Sequence, residues 1–296
     1  MENKDGGIRQ EEPKLPSDSE LIETYQGIGS VASAAIREGQ VIGNPTLEKG
    51  YFDPRWSIAL EVDLKGTASW PILRDAIERL RKVEPTINFV PADLLHITLA
   101  EVAYGEGEEK EGRRVGGRKS TNMRSRDVLA RYHAVNNNLP GFPPIHLKLW
   151  KIIPTLDPQA PGQEGRTAAI VAAFVTDDDP TLFQVMAAIK PAVEGAGLSV
   201  YHRPRRVIFA TLGYLTQPPK RDGRNIPLLD ALDSINGRLP PTTIKIDQIH
   251  MLLSTVNYRI APWVFIDPPI ALRKGDRDPN KHISYKRTPR PSRFAS

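Results

Sequence analysis

The sequence predicts an α+β fold of two similar, packed lobes with a cleft between them, and three observations predict it. The first is an internal echo: His96-Ile97-Thr98-Leu99-Ala100-Glu101-Val102 is answered by Phe209-Ala210-Thr211-Leu212-Gly213-Tyr214-Leu215. The second is that the echo extends both ways. Ile58-Ala59-Leu60-Glu61-Val62 starts 38 residues before the first motif, and Ile170-Val171-Ala172-Ala173-Phe174 starts 39 before the second. Downstream, Leu147–Ile152 corresponds to Ile244–Ile249. The third is apolar periodicity, which alternates between strand and helix through both copies.

A length of 296 residues fits about two domains or one large one, and 40% hydrophobic residues supply a substantial core. No apolar stretch approaches the ~18 residues that cross a bilayer. Met1-Glu2-Asn3-Lys4-Asp5 lacks the basic-then-apolar order of a secretory signal. The absence of cysteine excludes a disulfide scaffold and Cys-ligated zinc. The expectation is a soluble intracellular protein, cytoplasmic or nuclear, with no membrane contact.

The net charge of +5 is unevenly placed. Residues 273–296 hold eight basic and two acidic side chains, a net +6, so everything before them sums to −1. This basic tail is expected to be disordered, because its proline and polar content buries little apolar surface. It is a candidate for polyanion contact or nuclear targeting, and equally for a solvated end.

Residues 1–50 read as a polar N-terminal arm with one helix around Asp18–Arg37. Gly27-Ile28-Gly29-Ser30-Val31-Ala32 resembles a dinucleotide fingerprint only superficially, because no apolar strand precedes it. Residues 51–272 form the duplicated domain, with lobe one at about 51–156 and lobe two at about 166–272. In lobe one, a strand at Trp56–Leu64 precedes a helix at Ser69–Val83. Trp70, Leu73, Ala76, Ile77 and Leu80 recur there at three- and four-residue steps, and Pro71 suits the first turn. A strand at Leu94–Ala103 carries His96 and Thr98 on one face, since strand side chains alternate. Residues 105–121, rich in glycine and charge, read as a mobile loop. A helix near Arg124–Asn136 and a strand at Ile145–Leu156 close the lobe.

Lobe two follows a Pro/Gly-rich connector at Asp157–Gly165. Strands are expected at Thr167–Thr176, Arg206–Leu215, Thr243–Ser254 and Pro262–Leu272, with helices at Thr181–Glu194 and Pro227–Asn236. Asp177-Asp178-Asp179 could suggest a metal site. Asp179 directly before Pro180 at a strand-to-helix junction instead fits a helix cap.

Two strands of the form His-x-Thr/Ser-Leu about 110 residues apart, each after a strand-helix unit, resemble the 2H phosphoesterase superfamily. That superfamily includes LigT-like 2′-5′ RNA ligases and cyclic phosphodiesterases. Leu95-His96-Ile97-Thr98-Leu99 matches the first motif; in Ile208-Phe209-Ala210-Thr211-Leu212, phenylalanine replaces the second histidine. Ile249–Ser254 is similar to the family's strand after motif two. The resemblance covers about residues 54–272 and implies a pseudo-twofold fold with antiparallel sheets and a central cleft. It implies that His96 is a general acid/base and that Thr98 and Thr211 hold phosphate. Opening a 2′,3′-cyclic phosphate needs a base for the attacking oxygen and an acid for the leaving one. Two imidazoles flanking the phosphate supply both without a metal or other cofactor, while hydroxyls hydrogen-bond the nonbridging oxygens.

Phe209 can neither donate nor accept a proton, and losing one acid/base partner removes on the order of 10²–10⁴ in rate. Three readings follow. The leading one is a protein that binds an RNA end or nucleotide phosphate, with weak or lost phosphodiesterase activity. The second is an active metal-independent 2′,3′-cyclic or 2′-5′ phosphodiesterase using His96 and a relocated histidine, for which His202 and His250 are candidates. The third is an interaction scaffold with a vestigial cleft. Phe209 either plugs the pocket or stacks on a base or ribose. Arg203, Arg205 and Arg206, beside His202, form either a phosphate-steering patch or a solvated turn. His133, His146 and His282 have no supporting context. Trp56, Trp70, Trp150 and Trp263 read as packing residues.

Overall fold

A computed structural model of the chain describes residues 15–44, 56–103, 109–110, 113–114, 125–156, 166–200, 207–255, 264–273 and 284–287. Its helices are α1 (Asp18–Glu38), α2 (Trp70–Val83), α3 (Ser125–Asn138), α4 (Thr181–Gly195) and α5 (Pro227–Asn236). Strands β1 (Trp56–Asp63), β2 (Ile87–Phe89), β3 (His96–Ala103), β6 (Ile145–Leu156), β7 (Ala168–Val175), β8 (Ser199–Val200) and β9 (Phe209–Leu215) join one sheet. So do β10 (Thr242–Ile246), β11 (Gln248–Thr255), β12 (Val264–Ala271) and β13 (Ser284–Arg287). A separate hairpin pairs β4 (Glu109–Lys110) with β5 (Arg113–Arg114), inside the stretch expected as a loop.

The sheet is antiparallel, in the order β10-β6-β7-β9-β3-β1-β11-β12-β13. At its centre Ile97 pairs with Ala210, and elsewhere Leu147 pairs with Ile244. Both pairs join positions that the sequence echo makes equivalent. Antiparallel pairing of equivalent residues is what a local two-fold axis produces, so the axis passes between β3 and β9.

The halves of this sheet are not contiguous in sequence. β6 pairs with β7, and β2 pairs with β9, whereas β11 pairs with β1 and β8 with β3. Each copy therefore lends one long and one short strand to the other half. The expected strand over Thr243–Ser254 is two strands, β10 and β11, separated only by Asp247. In a flat sheet they would lie roughly 29 Å apart, six strand spacings of ~4.8 Å. One residue spans at most ~7 Å between its neighbours, so the sheet must curl strongly.

Helix α1 begins in a reciprocal cap. The Ser17 hydroxyl accepts from the Glu20 N–H, and the Ser17 N–H donates to Glu20 Oε2 at 2.7 Å. It ends at Gly39, whose φ of +75° suits a residue without a Cβ. Leu21, Tyr25, Ala32, Ala35 and Ile36 form its buried face and, Ala32 apart, belong to the same core cluster as the strands. The first 50 residues are thus not simply an arm, because α1 is part of the body. Beyond the helix, a Cβ on Gly43 would collide with the Thr216 carbonyl oxygen, so the chain can approach β9 this closely only as glycine.

Strand β7 is buried along all eight residues, and α1 covers one of its faces. Where β10 stops, Asn236 at the end of α5 takes over the edge of β6. Its amide accepts from Ile152 N–H and donates to Ile152 O, both at 2.8 Å. The tail departs from the expected disorder at Ser284–Arg287, which pairs with β12 as β13. Composition misses this because the partner is a strand edge, satisfied by backbone groups that any sequence carries.

Candidate active site between the two motif strands

His96 opens β3 directly after a 3₁₀ turn at Ala92–Leu94. That turn places Leu94 O 2.9 Å from His96 Nδ1. A carbonyl can only accept, so Nδ1 carries the hydrogen in this bond and Nε2 is the basic nitrogen of the neutral ring. The ring is mostly buried, its side chain 14% exposed.

Pairing Ile97 with Ala210 sets His96 across from Thr211 and Thr98 across from Phe209. All four side chains point to one face, since Ile97 and Ala210 take the other. All four are part-buried. The register thus brings together His96, Thr98, Thr211 and Phe209 in one four-residue patch. Positions 96 and 209 are diagonal neighbours, roughly 7–8 Å apart in such a ladder, a spacing that lets two side chains flank one phosphate.

The second position is covered. The Phe209 ring lies 5.2 Å from that of Tyr25, which in turn lies 5.6 Å from Trp150. Tyr25 is held in place: its hydroxyl donates to Phe174 O at 2.7 Å and accepts from Ile208 N–H at 2.9 Å. Burial holds this phenol above its usual range.

On the other side of β3, strand β1 adds two carboxyls that sequence reasoning missed. Glu61 pairs with Thr98, and Asp63 pairs with His96. Glu61 is 1% exposed, and its Oε2 lies 3.4 Å from His96 Nε2. That oxygen has no hydrogen-bond partner among the described residues. Burial pushes the Glu61 carboxyl up to about 7, with His96 opposing and Asp63 adding to the shift. Asp63 is also raised by burial, against its bond from Lys65 N–H and the charges of His250, Lys65 and His96. The available signal was a lone acid inside the apolar run Ile58–Val62, two residues from a second acid at strand period.

His250 lies on β11 in register with Glu61. It is therefore two strands from His96, about 10 Å across the sheet. His202, Arg203, Arg205 and Arg206 lie outside the described residues. The Asp177–Asp179 segment acts on helix ends. Asp179 Oδ1 accepts from Thr181 N–H at 2.9 Å, and the Asp178 N–H donates to Asp18 Oδ2 at 3.2 Å. Among the described residues no group of three His, Asp or Glu side chains is placed to hold a metal ion, and no helix is long and apolar enough to cross a membrane.

One strand from each half of the sequence, meeting at a local two-fold axis in a curled antiparallel sheet, is the kind of arrangement that the resemblance of the paired motifs implies. Among solved structures, the chain is similar to TT0787 of Thermus thermophilus, at 13% identity and a TM-score of 0.45, covering 73% of this chain and 98% of that one. It is similar to E. coli LigT complexed with 3′-AMP, at 14% identity and a TM-score of 0.36, covering 79% and 95%. It is also similar to the conserved protein of unknown function ATU0111 from Agrobacterium tumefaciens str. C58, at 14% identity and a TM-score of 0.44, covering 70% and 84%. No family model and no curated protein matches the chain.

Proposed function

We propose that this chain binds the phosphate of a nucleotide or RNA end between its two motif strands, with phosphodiesterase turnover weak or lost. The observation that carries the reading is the register of β3 against β9. With Ile97 opposite Ala210, His96, Thr98, Thr211 and Phe209 share one face, and Phe209 packs on Tyr25; this supports reading one imidazole and two hydroxyls around a single anion, with Phe209 in the place of a second imidazole. Thr98 and Thr211 hold nonbridging oxygens, and His96 supplies a charge-assisted hydrogen bond. In-line hydrolysis of a cyclic diester breaks one P–O bond as water adds. Water must lose a proton on one side of phosphorus while the leaving oxygen gains one on the other. A single imidazole serves only one side.

The test is binding and turnover of 2′,3′-cyclic AMP in the presence of a chelator. Binding without appreciable turnover, lost in His96→Ala, is the expected result. Fast turnover abolished by His96→Ala would overturn it in favour of an active phosphodiesterase. One observation favours that second reading: His250 stands in register with Glu61 on the motif face, so a proton path through Glu61 is short enough to consider. His250→Ala should then remove the turnover as well.

A further inference from the structure

We infer that Glu61 is the proton partner of His96: the two side chains share one proton, and an anion arriving at His96 draws that proton onto the imidazole. The geometry is specific. Glu61 Oε2 sits 3.4 Å from His96 Nε2, while His96 Nδ1 is committed to Leu94 O at 2.9 Å. Nε2 is therefore the nitrogen that exchanges a proton. Glu61 is 1% exposed, and no hydrogen bond from another group reaches its Oε2 among the described residues.

A buried carboxylate facing a neutral imidazole is costly, because both would present lone pairs across the contact in a low-dielectric site. One proton between them removes that conflict in either place. On Glu61 it makes an O–H donor toward Nε2; on His96 it makes an imidazolium beside a carboxylate. The pair is thus coupled and titrates as a unit. Burial pushing Glu61 to about 7 agrees with a shared proton at neutral pH. The other ionisable groups facing the pair are Asp63 on the same strand, with Lys65 beside it, and His250 across β11. Asp63 favours keeping the proton in the cluster, whereas His250 and Lys65 disfavour it when charged.

A bound phosphate diester adds a negative charge next to His96 and shifts the proton from Glu61 oxygen to His96 Nε2. No atom is lost: the carboxyl becomes carboxylate, the imidazole becomes imidazolium, and above about pH 7 the proton comes from water. Glu61 is accordingly a positioning residue, acting on ligand through His96. Its carboxylate compensates the imidazolium that forms when the anion arrives.

This inference takes its ligand from the phosphate-binding reading, so its test has a part that needs no ligand. In the full chain without ligand, the His96 ring is followed by NMR from pH 5 to 9, in wild type and in Glu61→Gln. The expected wild-type curve is biphasic, reflecting the neighbour, and Glu61→Gln collapses it to one step at least one pH unit lower. Identical single-step curves in both proteins would overturn the inference. If Glu61→Gln does not fold, the wild-type curve alone decides by the presence or absence of two steps. With 2′,3′-cyclic AMP, whose phosphate charge is constant over this range, Glu61→Gln should weaken binding roughly tenfold at pH 7.5 but little at pH 5.5, a fold-change that follows from a one-unit shift. Loss of affinity by the same factor at every pH would mark a structural role and overturn it. Absence of wild-type binding at all pH values, with a biphasic His96 curve, would instead sink the phosphate-binding reading and leave the proton pair standing.

Discussion

At position 209 stands a benzyl ring, which transfers no proton, and Tyr25 lies against it at 5.2 Å. Phe209→His is therefore expected not to raise turnover of a cyclic nucleotide. It should lower stability by about 1–3 kcal/mol, because a polar ring enters an aromatic stack without a partner. Denaturant unfolding and a turnover assay on the same preparation check both parts, and a hundredfold gain in rate would refute the first. Tyr25→Phe removes a hydroxyl that serves both Phe174 O and Ile208 N–H. It is expected to cost about 1–3 kcal/mol for the buried groups left unpaired, again read by denaturant midpoint. Glu61 makes stability depend on pH. Its folded value of about 7 lies above its ordinary 4.5, so between those values the folded state binds more protons than the unfolded. Stability contributed by the protonated carboxyl is complete below about pH 4.5, declines as pH rises toward 7, and is gone above it. The melting temperature of Glu61→Gln should lack that decline. The sequence singled out His96, Thr98, Thr211 and Phe209 as candidates through the paired motifs and their resemblance, and the β3–β9 register sets them on one face. Glu61 left only a faint signal, a lone acid in an apolar run, and Tyr25 left none, because their importance depends on which strand and which helix lie next to them.

Among the elements, α1 shows how far local signals reach. The capping pair Ser17 and Glu20 and the left-handed Gly39 delimit it, and the sequence places it at Asp18–Arg37, one residue short. Nothing local says what its apolar face covers. That face could have met another chain; it meets β6 and β7 instead. Ser17→Ala should lower stability by about 1 kcal/mol, the usual worth of an N-cap side chain, measurable as a shift in denaturant midpoint. The long strands and helices were recoverable from periodicity, and α5 falls at its expected bounds. Short strands were missed. β2 and β8 have three and two residues, too few for a pattern to emerge. The break between β10 and β11 was also missed, although the buried alternation shifts phase there, from Ile244 and Ile246 to Ile249 and Met251 across Asp247 and Gln248.

For the whole molecule, the interlaced sheet makes the two sequence copies mutually dependent. β6 completes the half built on β7, and β11 completes the half built on β1. Fragments cut within the 157–165 connector should fail to melt cooperatively alone and should recover one cooperative transition when mixed. Calorimetry on each fragment and on the mixture tests this, and a cooperative transition from either fragment alone would contradict it. An exchange of strands between the two halves of the sequence leaves no mark on composition or spacing.

The single-residue joint at Asp247 has a mechanical corollary. A molecule whose flanks are laced together by so brief a tether has little freedom to gape like a clam. On the proposed reading, tolerance for bulky ligands is then set by the shape of the motif face itself rather than by loosening the body.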